Sequence, residues 1–223
     1  MNDTLIQRYQ AVCRRIKNTG ANQAPHLLAV SKKHPASSVR ALYQAGQRMF
    51  GESYAQEAID KMQHLDDLAI EWHFIGPIQS NKTKIIAEHF DWVQSVDRLK
   101  VLQRLDRQRP AGRLPLKVLL QLKVGNEESK SGASVDDIYI MYKDAQLLAN
   151  IEVKGLMCIP PPSDAFEVQC DYFEQACQIF EDIRASDSSF DVLSMGMSGD
   201  LESAAATGST MVRIGTDIFG ART

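Results

Sequence analysis

Short apolar runs alternate along this chain with longer stretches of helical period. The runs cover residues 27–31, 48–51, 71–76, 92–96, 117–124, 153–160, 192–197 and 211–215. Several carry few charges and little alternation, the pattern of parallel strands buried on both faces. Amphipathic segments lie between them. Leu5, Tyr9, Val12, Cys13 and Ile16 share one helical face ahead of the first run. Phe173, Ala176, Cys177, Phe180 and Ile183 share another. Pro35 reads as the opening of a helix. Ser53-Tyr54-Ala55-Gln56 and Ser134-Val135-Asp136-Asp137 read as capping boxes, and Asp164 with Glu167 resembles one. Gly46 and Gly208 fall where helices should end.

Eight alternating units behind a leading helix predict an α/β fold, a single (β/α)8 TIM barrel with an extra N-terminal helix. An open doubly wound sheet has the same periodicity and stays the alternative. The 223 residues suit one domain over 1–223, with no linker and no second composition regime.

Composition narrows the function classes. Hydrophobic residues make up 44% and charged residues 24%, ordinary for a globular protein. A net charge of −3 gives no electrostatic reason to expect nucleic acid or an anionic membrane. Cys13, Cys158, Cys170 and Cys177 form no C-x-x-C pair and are expected as reduced, buried thiols. The histidines lack zinc-ligand spacing. The first residues show no signal-peptide pattern, and no apolar run approaches the ~18 residues of a membrane span, so a cytoplasmic protein is expected.

Polar and glycine-rich residues gather just after the apolar runs: Lys32, Glu52, Gly76-Pro77 with Ser80-Asn81-Lys82, residues 126–132 including Lys130, Ser198-Gly199, and Gly215-Thr216. In a parallel barrel all of these open on one face, where barrel enzymes place their sites and where the last two loops often hold a phosphate. Glycine lets backbone N–H groups approach an anion closely. A lysine at the end of an apolar strand can serve as a nucleophile toward carbonyls. Position alone leaves the plainer readings open. Lys32 could be a solvated surface lysine, Gly215 a turn glycine, Arg213 half of a structural ion pair, His73 a hydrogen-bonded core histidine, and Met157 and Cys158 core.

Seven stretches, in order, change that balance. They are Leu27-Leu28-Ala29-Val30-Ser31-Lys32, Phe50-Gly51-Glu52, residues 72–82 from Trp72-His73-Phe74 to Ser80-Asn81-Lys82, Glu128-Ser129-Lys130-Ser131-Gly132, Lys154-Gly155-Leu156-Met157, residues 193–198, and residues 208–216. Together they resemble the pyridoxal phosphate homeostasis protein family, from about Leu27 to Arg222. The resemblance implies a fold like the barrel domain of alanine racemase, usually monomeric. It places pyridoxal 5′-phosphate as an aldimine on Lys32, and its phosphate near Ser198, Gly215 and Thr216. Arg213 would face the pyridine nitrogen, with Met157 and Asn81 near the pocket. Two departures bear on the site. Ser53 stands where the family usually has asparagine, and His34 where many relatives have a second lysine.

Arg213 has no proton acceptor and would keep the ring nitrogen unprotonated, which weakens the electron sink that pyridoxal phosphate enzymes use. The second domain that supplies another base in the racemases is not expected here. The reading is therefore a cofactor-binding protein in vitamin B6 homeostasis that holds pyridoxal phosphate reversibly. Its effects on amino-acid and keto-acid pools would be indirect, and pyridoxal phosphate-dependent apoenzymes are possible recipients. The alternative is a slow pyridoxal phosphate-dependent racemase with Tyr54 or Lys130 as second base. A cofactor-free Schiff-base aldolase is a third reading. Surface lysines such as Lys61 are candidates for a second cofactor site.

Overall fold

The computed structural model describes residues 2–21, 23–125 and 131–220. The elements in chain order are α1 (Asn2–Lys17), β1 (His26–Val30), α2 (Ala36–Gln44), β2 (Met49–Glu52), α3 (Ala55–Gln63), β3 (Glu71–Phe74), α4 (Thr83–His89), β4 (Trp92–Val96) and α5 (Leu99–Gln108). They continue with β5 (Leu116–Leu122), α6 (Val135–Ala145), β6 (Ile151–Cys158), α7 (Phe166–Arg184), β7 (Val192–Ser194), α8 (Leu201–Ala206), β8 (Met211–Ile214) and α9 (Thr216–Phe219). Each strand pairs in parallel with its chain neighbours. β8 returns to β1 through Leu28↔Arg213 and Ala29↔Ile214, which closes the barrel and removes the doubly wound alternative.

Strand alternation sorts the side chains into two environments. Leu27, Ala29, Phe50, Val93, Leu120, Leu156 and Ile214 point outward and pack with Val39, Leu42, Ile86, Leu102, Ile138, Phe173 and Phe180 from the helices. Full burial of a residue such as Phe50 or Phe173 contributes about 1.5–3 kcal/mol each by area. The inward face includes a separate small cluster of Trp92, Leu119 and Met157, and next to it the barrel carries polar groups.

All eight expected strands form, with different ends. The run 192–197 is a strand only over Val192–Ser194, although Met195 N–H still donates to the Met211 carbonyl and the Gly196 carbonyl accepts from Arg213 N–H. Gly196 has φ +95, and a Cβ would press into Ala204, so after this last bond to β8 the chain turns toward α8. Gly46 and Gly208 do follow helix ends, with φ +105 and +99. Ser134 caps α6 by accepting from the Asp137 backbone. The other two expected boxes fail. Tyr54 and Ala165 take the cap positions of α3 and α7 without side-chain caps, while Ser163 accepts from the Ala165 backbone at 3.2 Å. Of the cysteines only Cys158 is fully buried. The other three are half-buried because they lie on outer helices.

Candidate functional site

β1 delivers Lys32 to the mouth formed by the carboxyl ends of the strands. Period-two alternation sends Ser31 outward and Lys32 inward, as it does Leu28. The Lys32 amine donates to the Ser53 hydroxyl at 3.3 Å. Ser53 therefore touches the lysine itself. Gly76 makes this placement possible, since a Cβ there would run into the Ser53 backbone. His34 stacks on Phe219 of α9 with ring centroids 4.7 Å apart, which ties the turn after β1 to the loop after β8.

β8 supplies the adjoining wall. Gly215 lies against Val30 of β1, where a Cβ would already be in contact with the Val30 carbonyl at 3.4 Å. The backbone N–H groups of Ser198, Gly199 and Thr216 donate to no acceptor among the described residues, so this rim presents three open donors. The Ser198 carbonyl is held from outside. Arg15 of α1 donates to it at 2.9 Å and reaches Glu202 of α8 and Asp217 of α9, the latter at 2.8 Å.

Arg213 is buried beneath the mouth. It donates to the Ser194 carbonyl and hydroxyl at 2.7 and 2.8 Å and to the Cys158 carbonyl at 2.8 Å. Carbonyls and a hydroxyl hold it, in place of the carboxylate that an ion-pair reading would need. Burial pushes its guanidinium pKa down, with Cys158 and Asp200 acting against this.

A single direction of hydrogen bonding runs from Arg213 through the barrel. Arg213 can only donate, so the Ser194 oxygen accepts and its proton goes to Gln94 Oε1 at 2.7 Å. Gln94 Nε2 then faces His73 Nδ1 at 2.9 Å, and His73 Nε2 donates to Glu71 at 3.0 Å. Burial pushes the His73 pKa down against the pull of Glu71, so the neutral tautomer with its proton on Nε2 fits every contact. His73 stacks on Trp92 and is a hydrogen-bonded core histidine.

Lys32, Met157, Ser198, Arg213, Gly215 and Thr216 thus come from the mouth and the interior just below it. Asn81 does not join them. Pro77 and the turn closed by Lys82 N–H on the Gln79 carbonyl at 2.9 Å carry the chain outward. Asn81 lies exposed in a groove of about 410 Å³ shared with Gln56, Ile59 and Lys84, between α3 and α4. Lys61 is not a surface lysine: it is buried against Glu52 at 2.5 Å. Tyr54 is exposed, with the Lys33 ammonium over its ring, and Lys130 lies outside the described residues. A further cavity of about 430 Å³ opens on the mouth across the β3–β6 ends, lined by Ile75, Ser95, Asp97, Gln121 and Ile159. Sequence reasoning missed Arg15, Gln94 and Ser194. None has a local signal, because each acts through partners far away in the chain.

Residues 4–223 match the family model of the alanine racemase N-terminal domain. The chain is 46% identical over 220 residues to the pyridoxal phosphate homeostasis protein of Haemophilus influenzae, covering 97% of this chain and 92% of that one. It is 52% identical over 196 residues to the protein of that name from Pseudomonas aeruginosa, covering 88% and 84%. PipY of Synechococcus elongatus, solved with PLP bound, superposes with a TM-score of 0.86 at 35% identity, over 97% of this chain and all of that one.

Proposed function

Because this chain belongs to the pyridoxal phosphate homeostasis proteins, within the family of the alanine racemase N-terminal domain, we propose that it holds pyridoxal 5′-phosphate at the barrel mouth on Lys32 and serves as a reversible carrier of that cofactor. The observation that carries this reading is the meeting of a strand-end lysine, a buried donor-only arginine and three open backbone N–H groups on adjoining strand ends. When bound, the cofactor supplies an aldehyde, which condenses with an amine with loss of one water, and an electron-withdrawing ring.

The donor set fits such a group. Ser198, Gly199, Gly215 and Thr216 bind its phosphate through the backbone, with glycine allowing close approach. Lys32 supplies the amine and Ser53 orients it. Arg213 presents N–H and no acceptor, so a ring nitrogen placed against it receives no proton. Met157 adds apolar surface below the ring. Asn81 takes no part, given its place on the helical layer.

Such a site binds firmly at the phosphate and commits weakly to carbanion chemistry, which suits storage. A single-domain monomer in the cytoplasm that passes the cofactor to apoenzymes completes the reading. Among the described residues no helix is long and apolar enough to cross a membrane.

The test is an absorbance spectrum of wild type and Lys32→Ala with added cofactor, followed by borohydride reduction and peptide mapping. A band near the visible edge in wild type alone, with the reduced adduct on Lys32, is expected. A colourless wild type that takes up no cofactor would sink the reading.

A further inference from the structure

Behind Lys32, on the helical side of β1, three charged side chains meet where an apolar core would be expected. Lys61 of α3 is 6% exposed and Glu52 at the end of β2 is fully buried. The Lys61 ammonium lies 2.5 Å from Glu52 Oε1 and 3.3 Å from Glu57 Oε1. Burying two charges is costly, and an apolar pair of similar volume commonly stabilises a fold as well or better. Stability alone therefore does not account for this cluster.

What the cluster holds accounts for it. Lys61 donates to the Ser31 carbonyl at 2.8 Å, and the Ser31 hydroxyl donates to Glu52 at 2.6 Å. Glu57 accepts from the Lys33 backbone N–H at 2.5 Å. Both residues flanking Lys32 are thus tied to the same three side chains. Lys33 has φ +64, the left-handed region that a residue with a side chain seldom adopts unless its surroundings fix it. Glu52 also precedes Ser53, whose hydroxyl receives the Lys32 amine. Burial pushes the Glu52 carboxyl pKa up, while Lys61 and the Ser31 hydroxyl pull it down, in keeping with a group held in place by its neighbours.

We propose that Glu52, Glu57 and Lys61 are positioning residues for Lys32. They lock the backbone on both sides of it, so that its amine enters the mouth at a fixed height beside Ser53. The inference deepens the reading of Lys32 as the residue that captures pyridoxal phosphate, and it rests on that reading.

The experiment compares two ligands on the full chain. Pyridoxal phosphate needs both the phosphate rim and a placed amine. Pyridoxine 5′-phosphate has an alcohol in place of the aldehyde and needs only the rim and ring contacts. Capture is read as borohydride-trapped adduct on Lys32 against ligand concentration, and alcohol binding by calorimetry. The variants are the double substitution Glu52→Gln with Lys61→Met, which removes both buried charges together, and Glu57→Ala at a half-exposed site. Each should raise the half-saturating concentration for capture at least fivefold, while pyridoxine phosphate binds within about twofold of wild type. Wild-type capture by a cooperatively melting variant overturns the inference. Equal weakening of both ligands does so too, because it marks general damage to the fold. If the double variant does not fold, Glu57→Ala decides by the same readings. A wild type that leaves Lys32 unlabelled withdraws the reading beneath the inference, whereas normal labelling with indifferent variants removes the inference alone.

Discussion

Burial changes the chemistry of single residues here in two directions that experiment can separate. It pushes the Cys158 thiol up to about 12, so little thiolate forms near neutrality. Iodoacetamide should leave Cys158 unmodified in the native protein and modify it once denaturant is added, which peptide mass spectrometry reads directly. His73 shows the opposite sign. In an unfolded chain a histidine takes a proton near pH ~6.5, whereas burial holds His73 neutral to lower pH. Its contribution to stability is complete above the unfolded value and is lost as the pH falls through it toward the depressed folded one. The wild-type melting temperature should therefore fall between pH 7 and 5. His73→Gln should start lower and fall less steeply. Comparing the two removes Glu52 from the difference, since its raised carboxyl acts in the other direction on acidification.

Elements matter to the site chiefly through what they clamp. α1 stands outside the eightfold repeat, yet its Arg15 ties Ser198, Glu202 and Asp217 together under the rim proposed to hold the phosphate. Arg15→Ala should weaken pyridoxal phosphate roughly tenfold, about 1.4 kcal/mol, and leave the phosphate-free aldehyde pyridoxal almost unchanged. Side-by-side titrations by absorbance would show it. Equal loss for both ligands would mean that α1 steadies the barrel generally. The strands were legible in the sequence because doubly buried parallel strands read as continuous apolar runs, and Lys32 was legible because it ends one of them. Arg15 was not, since its partners lie 183–202 positions away. Lys61 was not either. Four residues after Glu57 on α3, it has the spacing of a solvated helix pair, and only the packing of α3 against β1 and β2 buries it. Asn81 shows the reverse case: it follows a strand end in the sequence, yet the turn after β3 sets it in the groove between α3 and α4.

At the scale of the molecule the site is assembled from the two ends of the repeat. Lys32 follows the first strand and Arg213 sits in the eighth, and the Leu28↔Arg213 register brings them together only when the barrel closes. The polar line from Arg213 to Glu71 crosses the interior, joining β8, β7, β4 and β3. This closure has a consequence during biosynthesis. A growing polypeptide on the ribosome exposes Lys32 early, but the arginine and the glycine rim emerge only with the seventh and eighth strands. A nascent or prematurely released product carries the lysine without the wall proposed to seat a phosphate. On the proposed reading, phosphate-dependent capture at Lys32 waits for the barrel to close.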